Sequence, residues 1–205
     1  MTQKKLNIAI MGAGAVGSYF GARLLEGGSD VAFIARGPHL AAIQKNGLQV
    51  QSPLGDIKVD SVKATEDPSV VGPVDVVLLM VKLYDVASAA AKIGPLLDPS
   101  TAVVALQNGV DSPQILSDII GSNHVMGGSI YIPAKIAEPG VILHGGGFAK
   151  AIFGELDGHK SARAEALLHA FQVANVEAEI SQNVEVTLWT KFVLLSAVSA
   201  TNAIT

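Results

Sequence analysis

Three glycines near the N-terminus are spaced for phosphate binding. The segment Gly12-Ala13-Gly14-Ala15-Val16-Gly17 follows the pattern G-x-G-x-x-G and stands between an apolar run, Leu6–Met11, and a helical pattern, Val16–Glu26. In such a turn the first glycine permits the sharp bend, the second lets a pyrophosphate approach the backbone, and the third lets the helix pack against the strand. The helix N-terminus then faces the phosphates. This context predicts a dinucleotide site; the alternative is a purely structural glycine turn.

A cation stands where nucleotide-binding folds of this type often place an acid. An Asp or Glu about 20 residues after the glycines binds the ribose 2′-hydroxyl of NAD. Here the second predicted strand, Val31–Ala35, is followed by Arg36 and Gly37. A carboxylate would repel a 2′-phosphate, whereas a guanidinium pairs with it. Arg36 therefore predicts NADP rather than NAD, and a solvated surface arginine is the alternative.

Two more polar residues follow predicted strands. Lys82 comes directly after the apolar run Val76–Val81, and Asn108 comes shortly after Ala102–Leu106. Ligands of open parallel sheets bind at the carboxyl ends of the strands, which is where both side chains would lie. Each residue also has a simpler interpretation, because Lys82 can cap a strand in solvent and Asn108-Gly109 is a common turn pair.

A lysine interrupts an apolar stripe on the last predicted helix, which starts at Asn183. The stripe recurs at spacings of three and four residues, which places its members on one helix face. Its members are Val184, Leu188, Lys191, Leu195, Val198 and Asn202. A lysine there is costly unless its amine is paired or faces a polar cleft. We expect the Lys191 amine to point into a cleft, and the alternative is a snorkelling side chain at a helix edge.

The elements that must position these residues alternate between short apolar runs and helical patterns. This alternation predicts an α/β fold with a mostly parallel sheet covered on both faces. The stretch from Leu48 to Val62 predicts a small hairpin within the sheet, with Pro53-Leu54-Gly55-Asp56 at its turn. The runs around Glu138-Pro139-Gly140 predict an antiparallel extension of the same sheet.

Composition excludes several functional classes. The 205 residues are 49% hydrophobic and 16% charged, which is typical of a globular domain and not of a disordered chain. The absence of cysteine excludes disulfides, thiolate metal sites and a cysteine nucleophile, and we expect no metal. The net charge of −4 gives no reason to expect nucleic acid or an acidic membrane surface. No uninterrupted apolar run approaches the ~18 residues of a membrane span, so we expect a soluble cytoplasmic protein.

Taken together and in this order, the motifs resemble the ketopantoate reductases (2-dehydropantoate 2-reductases), and the resemblance runs through essentially the whole chain. It rests on Gly12–Gly17, Arg36-Gly37, Val81-Lys82, Gln107-Asn108-Gly109, Glu138-Pro139-Gly140 and Trp189-x-Lys191. It implies a Rossmann-type NADP-binding domain followed by an all-helical domain, with the active site between them. We expect residues 1–182 to form the first domain and residues 183–205 to be the first helix of a truncated second domain.

The resemblance also implies a role for each motif residue. Gly12, Ala13, Gly14, Ala15, Val16 and Gly17 would hold the pyrophosphate, and Arg36 would hold the 2′-phosphate. Lys82 would contact the cofactor, Asn108 would contact both cofactor and substrate, and Lys191 would be the catalytic lysine. The implied reaction is NADPH-dependent reduction of a 2-keto acid such as 2-dehydropantoate to pantoate, a step toward coenzyme A.

Two departures from the family keep other readings open. The family has asparagines four and eight residues after the catalytic lysine, whereas this chain has Leu195 and Ser199, the latter retained as a candidate substrate contact. Leu195 favours a related 2-hydroxy-acid dehydrogenase with another substrate. The short helical part favours a non-catalytic NADP-binding regulatory module. The apolar stripe also predicts association, for example as a homodimer, through Leu188, Leu195 and Val198.

Overall fold

Residues 5–204 are described by a computed structural model of the chain, and within that range the elements alternate as predicted. The strands are β1 (Asn7–Met11), β2 (Asp30–Ile34), β3 (Leu48–Gln51), β4 (Ile57–Val59), β5 (Lys63–Thr65), β6 (Val76–Leu79), β7 (Ala102–Ala105), β8 (Val125–Tyr131), β9 (Ala134–Glu138), β10 (Val141–His144), β11 (Lys150–Glu155) and β12 (Glu177–Ile180). The helices are α1 (Ala15–Glu26), α2 (Gly37–Asn46), α3 (Val86–Ala90), α4 (Ser112–Ile120), α5 (Ala162–Val173) and α6 (Val184–Ile204).

The main sheet has eight strands in the order β12-β11-β8-β7-β6-β1-β2-β5. Every neighbouring pair is parallel except β8 and β11, which are antiparallel. Strands β6 and β7 are buried along their whole length, as continuous apolar runs covered by helices on both faces require. The predicted α/β fold with a mostly parallel sheet and an antiparallel extension is confirmed.

A second sheet corrects the prediction for two hairpins. The sequence predicts that the Leu48–Val62 hairpin and the Glu138-Pro139-Gly140 turn belong to the main sheet. Both hairpins form, but they join in a separate sheet, β4-β3-β10-β9, through parallel pairing of β3 with β10. Several apolar side chains of this sheet, including Val50 and Ile142, lie in the same buried cluster as Tyr19 of α1. They would be exposed if the hairpins merely extended an edge of the main sheet.

Helix α1 is consequently covered by both sheets. All residues from Gly17 to Leu24 are buried, including the Arg23 side chain, which donates to the Gly55 carbonyl at 2.7 Å. A helix packed on one face only would have an exposed polar face. The second sheet therefore fixes α1, and with it the glycine-rich turn that precedes the helix.

Helix α6 packs against β8 and β11, and its buried residues lie in its first two turns. Val184, Leu188 and Lys191 are buried, whereas Val198 is 47% exposed. The prediction that Leu188 takes part in association is therefore wrong, because its side chain is already used inside the fold.

By length and composition alone, α6 is apolar enough to cross a membrane over Val184–Ala203, although the sequence has no uninterrupted apolar run of that length. That criterion is weak evidence of a span, since helices of soluble proteins also meet it.

Candidate active site

The site residues predicted between Gly12 and Asn108 lie along one edge of the main sheet. Strands β2, β1, β6, β7 and β8 are consecutive and parallel, so their carboxyl ends share that edge. The glycine-rich turn follows β1, Arg36 follows β2, Lys82 follows β6 and Asn108 follows β7. This edge is where open α/β sheets bind ligands. The topology therefore assembles in one place the residues that sequence analysis selected one by one.

The glycine-rich turn has the shape that its sequence predicts. Gly12 has a φ of +101°, and a Cβ there would lie 2.7 Å from the Val81 nitrogen. A Cβ at Gly17 would collide with the Gly12 carbonyl oxygen, so the helix can approach the strand only with glycine at that position. In contrast, a Cβ at Gly14 would have no protein atom within 4 Å. The first and third glycines are thus required by the fold, and the second borders open space.

The start of α1 leaves backbone donors available at this open space. Gly14 is the N-cap and no side chain caps it, and Ser18 donates the first helical hydrogen bond, to the Gly14 carbonyl at 2.9 Å. The amides of Ala15, Val16 and Gly17 belong to the first helical turn, whose N–H groups have no acceptor within a helix. The first turn carries no acidic side chain. Such a helix start is suited to bind an anion.

Arg36 forms an ion pair that sequence analysis did not foresee. Its Nη2 lies 3.2 Å from Oδ2 of Asp85, which is in the loop after β6. The arginine side chain is 76% exposed, so most of its donors still face solvent, while the Asp85 side chain is 28% exposed. The two residues come together because β2 and β6 flank β1 in the main sheet, and no local sequence pattern contains that information.

Lys82 and Asn108 lie on loops that touch each other. Both side chains are exposed, and a Cβ at Gly109 would lie 3.3 Å from the Leu83 side chain. The preceding residue, Gln107, is buried and donates from Nε2 to the Leu79 carbonyl at 2.7 Å, which ties the end of β7 to the end of β6. The structure therefore supports these two loops as one surface next to the glycine-rich turn.

The amine of Lys191 is buried and not exposed to bulk water, and its predicted position in a cleft stays a prediction. Lys191 is 7% exposed, and its Nζ donates a hydrogen bond to the Ile130 carbonyl of β8. The amine also lies 5.0 Å from the centre of the Tyr131 ring. Burial lowers the pKa of the Lys191 ammonium from 10.5 to about 8, because the charged form loses hydration. The alternative of a snorkelling lysine at the helix edge is excluded.

The amine of Lys191 and Asn108 lie at the carboxyl ends of two neighbouring strands. Strands β7 and β8 pair in parallel, Ile130 is the second-to-last residue of β8, and Asn108 follows the end of β7. The amine that binds the Ile130 carbonyl is therefore placed at the edge that also carries Asn108. The two residues come from segments about 80 residues apart in the chain, and packing of α6 on β8 places the Lys191 amine at the edge that carries Asn108.

The two positions after Lys191 at which this chain departs from the family resemblance continue along α6. Leu195 is half-buried and Ser199 is exposed. Ser199 is two helical turns beyond Lys191, or roughly 12 Å along the axis. None of the hydrogen bonds found among the described residues involves the Ser199 side chain, and its role as a substrate contact stays a prediction.

A histidine connects the second sheet to the glycine-rich turn, and sequence analysis missed it. His39 of α2 accepts a hydrogen bond at Nδ1 from the Gly140 amide at 3.1 Å, so its Nε2 carries the proton. Nε2 lies 3.2 Å from the Ser18 hydroxyl, which donates to the Ala13 carbonyl at 3.2 Å. Burial lowers the pKa of the His39 ring, which keeps it neutral. No spacing rule identifies this residue.

Comparison with known proteins agrees with this geometry. A sequence model described as "Ketopantoate reductase PanE/ApbA" matches residues 8–158, which is most of the chain. The chain belongs to the ketopantoate reductase family. The 2-dehydropantoate 2-reductase of Halobacterium salinarum is 30% identical over 200 residues, covering 97% of this chain and 65% of that relative. The chain thus spans slightly less than two thirds of the length of this curated ketopantoate reductase.

Solved structures of the ketopantoate reductase family share the fold. The crystal structure of 2-dehydropantoate 2-reductase from Porphyromonas gingivalis superposes with a TM-score of 0.91 and 28% identity, covering 98% of this chain and 72% of that one. A D-mandelate dehydrogenase, solved with NADH and anilino(oxo)acetate, superposes with a TM-score of 0.80 and 25% identity. That match covers 90% of this chain and 59% of the dehydrogenase. The structural neighbours of this chain therefore include a dehydrogenase that is named for a different substrate.

Proposed function

We propose that this chain is the nucleotide-binding part, with the catalytic lysine, of a soluble cytoplasmic reductase that uses NADPH to reduce a 2-keto acid such as 2-dehydropantoate. The observation that carries the proposal is the buried amine of Lys191 at the same sheet edge as the glycine-rich turn. Family membership and the names of the relatives support the same reaction class. As the sequence predicts, residues 1–182 would bind the nucleotide and residues 183–205 would contribute the first helix of the helical part.

The cradle for the nucleotide fits a pyrophosphate. The space beside Gly14 is open in this structure, and the amides at the start of α1 would face a bound phosphate with no carboxylate in the first turn. Gly12, Ala13, Gly14, Ala15, Val16 and Gly17 would hold the phosphates through the backbone, with Lys82 at the next loop. The exposed guanidinium of Arg36 would then take the 2′-phosphate.

When bound, the reduced nicotinamide supplies a hydride to the carbonyl carbon of the substrate. The carbonyl oxygen gains negative charge in that step and needs both a donor and a proton. The ammonium of Lys191 has three N–H donors, and one is used on the Ile130 carbonyl. The remaining donors can hydrogen-bond the substrate oxygen and deliver the proton. Asn108 would orient the substrate and the nicotinamide, and Ser199 would bind the far end of the substrate.

The lowered pKa of Lys191 suits a proton donor at neutral pH. With a pKa of about 8, the amine is mostly protonated at pH 7 and releases its proton more easily than an exposed lysine. Reduction should therefore slow as the pH rises through about 8, because the fraction of protonated amine falls. A site that uses Lys191 only to bind the nucleotide would not show this dependence in turnover.

The proposal is tested by separating nucleotide binding from turnover. Lys191→Ala should bind NADPH with nearly wild-type affinity in a calorimetric titration, while 2-dehydropantoate turnover by the enzyme falls at least 100-fold. Loss of proton donation accounts for that division, since general acid catalysis contributes typically ~10²–10⁴-fold. Thr190→Ala, an exposed neighbour on the same helix, is the matched control and should leave both quantities unchanged. Unchanged turnover in Lys191→Ala would refute the catalytic role.

A second candidate function is a 2-hydroxy-acid dehydrogenase with a more apolar substrate. Leu195 favours it, because its side chain cannot hydrogen-bond a substrate hydroxyl and is half-buried one helical turn beyond Lys191. The D-mandelate dehydrogenase neighbour gives this candidate a structural parallel. Comparison of turnover for 2-dehydropantoate with that for a 2-keto acid lacking the hydroxyl decides between them, since the second candidate requires preference for the latter.

A further inference from the structure

Asp85 places a carboxylate on the cation to which the proposed function assigns the 2′-phosphate. The guanidinium of Arg36 and the carboxylate of Asp85 are 3.2 Å apart and make a single N–O contact. Asp85 is the less exposed partner, and its backbone is held on both sides. Its amide donates to the Lys82 carbonyl at 2.9 Å, and the Ser88 hydroxyl donates to its carbonyl at 2.9 Å. The loop therefore fixes the backbone that carries the carboxylate.

A 2′-phosphate on Arg36 would come close to this carboxylate. Two anions that hydrogen-bond the same guanidinium lie within about 7 Å of each other. The phosphate carries a charge of about −1.5 to −2, so it is repelled by the carboxylate and also competes with it for the arginine. A ribose 2′-hydroxyl carries no charge and can instead donate to the carboxylate. The arrangement thus has opposite effects on the two nicotinamide nucleotides.

We infer that Asp85 is a specificity-determining residue that weakens the preference of this chain for NADPH over NADH. The inference rests on the proposed function, because it requires Arg36 to bind the 2′-phosphate. Arg36 provides the attraction that separates the two nucleotides, and Asp85 cancels part of it. The site then accepts both nucleotides, and it favours NADPH less strongly than it would if Arg36 had no carboxylate partner.

The test compares four nucleotides on the intact chain by calorimetric titration: NADPH, NADH, 2′-AMP and 5′-AMP. The two adenosine monophosphates report on the ribose site without the nicotinamide or any turnover. Asp85→Asn keeps the size and a side-chain oxygen but removes the charge. This variant should bind NADPH and 2′-AMP about three- to tenfold more tightly than the wild type. Its affinity for NADH and 5′-AMP should change less than about twofold. Asp118→Asn, which makes the same charge change at an exposed position of α4, should alter the affinity for none of the four.

Arg36→Ala distinguishes failure of this inference from failure of the proposed function. The inference is supported if Arg36→Ala weakens the binding of NADPH and 2′-AMP tenfold or more and Asp85→Asn tightens it. If Arg36→Ala weakens them but Asp85→Asn does not tighten them, the role of Asp85 is wrong and the assignment of Arg36 stands. If neither variant changes the difference between NADPH and NADH, both are wrong. Asp85→Ser, which is smaller, guards against a local packing effect of asparagine and should also tighten NADPH.

Discussion

Replacing Lys191 with methionine should remove a pH dependence of folding that the buried ammonium imposes. The pKa of Lys191 is about 8 in the folded chain and about 10.5 when the chain is unfolded. Between these values the unfolded state binds more protons, so the free energy of unfolding of the wild type should rise with pH. At about 1.4 kcal/mol per pKa unit, the rise is about 3 kcal/mol between pH 8 and pH 10.5. Methionine has a similar length and no charge.

The assay is urea unfolding at half-unit steps from pH 7 to pH 10.5. Other groups also titrate in this window, so the quantity of interest is the wild-type free energy minus that of Lys191→Met. Lys92→Met is the matched control, because Lys92 is exposed and its replacement should leave the pH profile of the wild type intact. A wild-type minus Lys191→Met difference that stays constant within about 0.5 kcal/mol would show that the ammonium is not buried as described, and would also remove the basis for the proposed pH dependence of turnover.

The remaining predictions concern the turn, the histidine and the last helix. Gly17→Ala should lower the free energy of unfolding by more than about 2 kcal/mol in urea titration, because the added methyl group collides with protein atoms. Gly14→Ala should fold normally and lose nucleotide affinity, because its methyl group enters only the open space beside the turn. His39→Gln should flatten the loss of stability between pH 7 and pH 5, since the lowered pKa of His39 means that the unfolded state binds the proton first and acid destabilises the wild type. The 205-residue chain should self-associate through the open half of α6 in sedimentation velocity, and the double variant Leu194→Ser and Val198→Ser should be monomeric; a wild-type monomer at high concentration would contradict this.

Local patterns in the sequence were sufficient for the main sheet and for part of the site. Continuous apolar runs such as Val76–Leu79 predict buried parallel strands, and the order of the motifs then places Arg36 and Asn108 at one edge. The three- and four-residue stripe also predicted that the Lys191 amine points away from bulk water, which agrees with its burial. The same stripe wrongly predicted that Leu188 is available for association. Helical spacing shows which residues share a face of α6, but it does not show how much of that face a neighbouring strand covers.

The features that sequence analysis missed depend on contacts between distant segments. The turn chemistry at Glu138-Pro139-Gly140 predicts a hairpin, but nothing local indicates that this hairpin pairs with β3 and not with the main sheet. Asp85 likewise carries no signal until the strand order places its loop beside Arg36. His39 gains its role only because Gly140 and Ser18 are both brought to its ring. Long-range pairing, which propensity does not encode, decides all three.

The second sheet has a consequence for the order of folding. Its central pair joins Val50 to Ile142, about 90 residues apart, and closing a loop of that length costs about 4 kcal/mol of chain entropy when nothing else has formed. The cost falls once the intervening strands have assembled, so we expect β3 and β10 to pair after the main sheet. The Gly140 amide that holds His39 belongs to this late sheet, and His39 steadies the turn after β1. A refolding chain should therefore regain its compact core first and acquire nucleotide-binding competence in a later, slower phase.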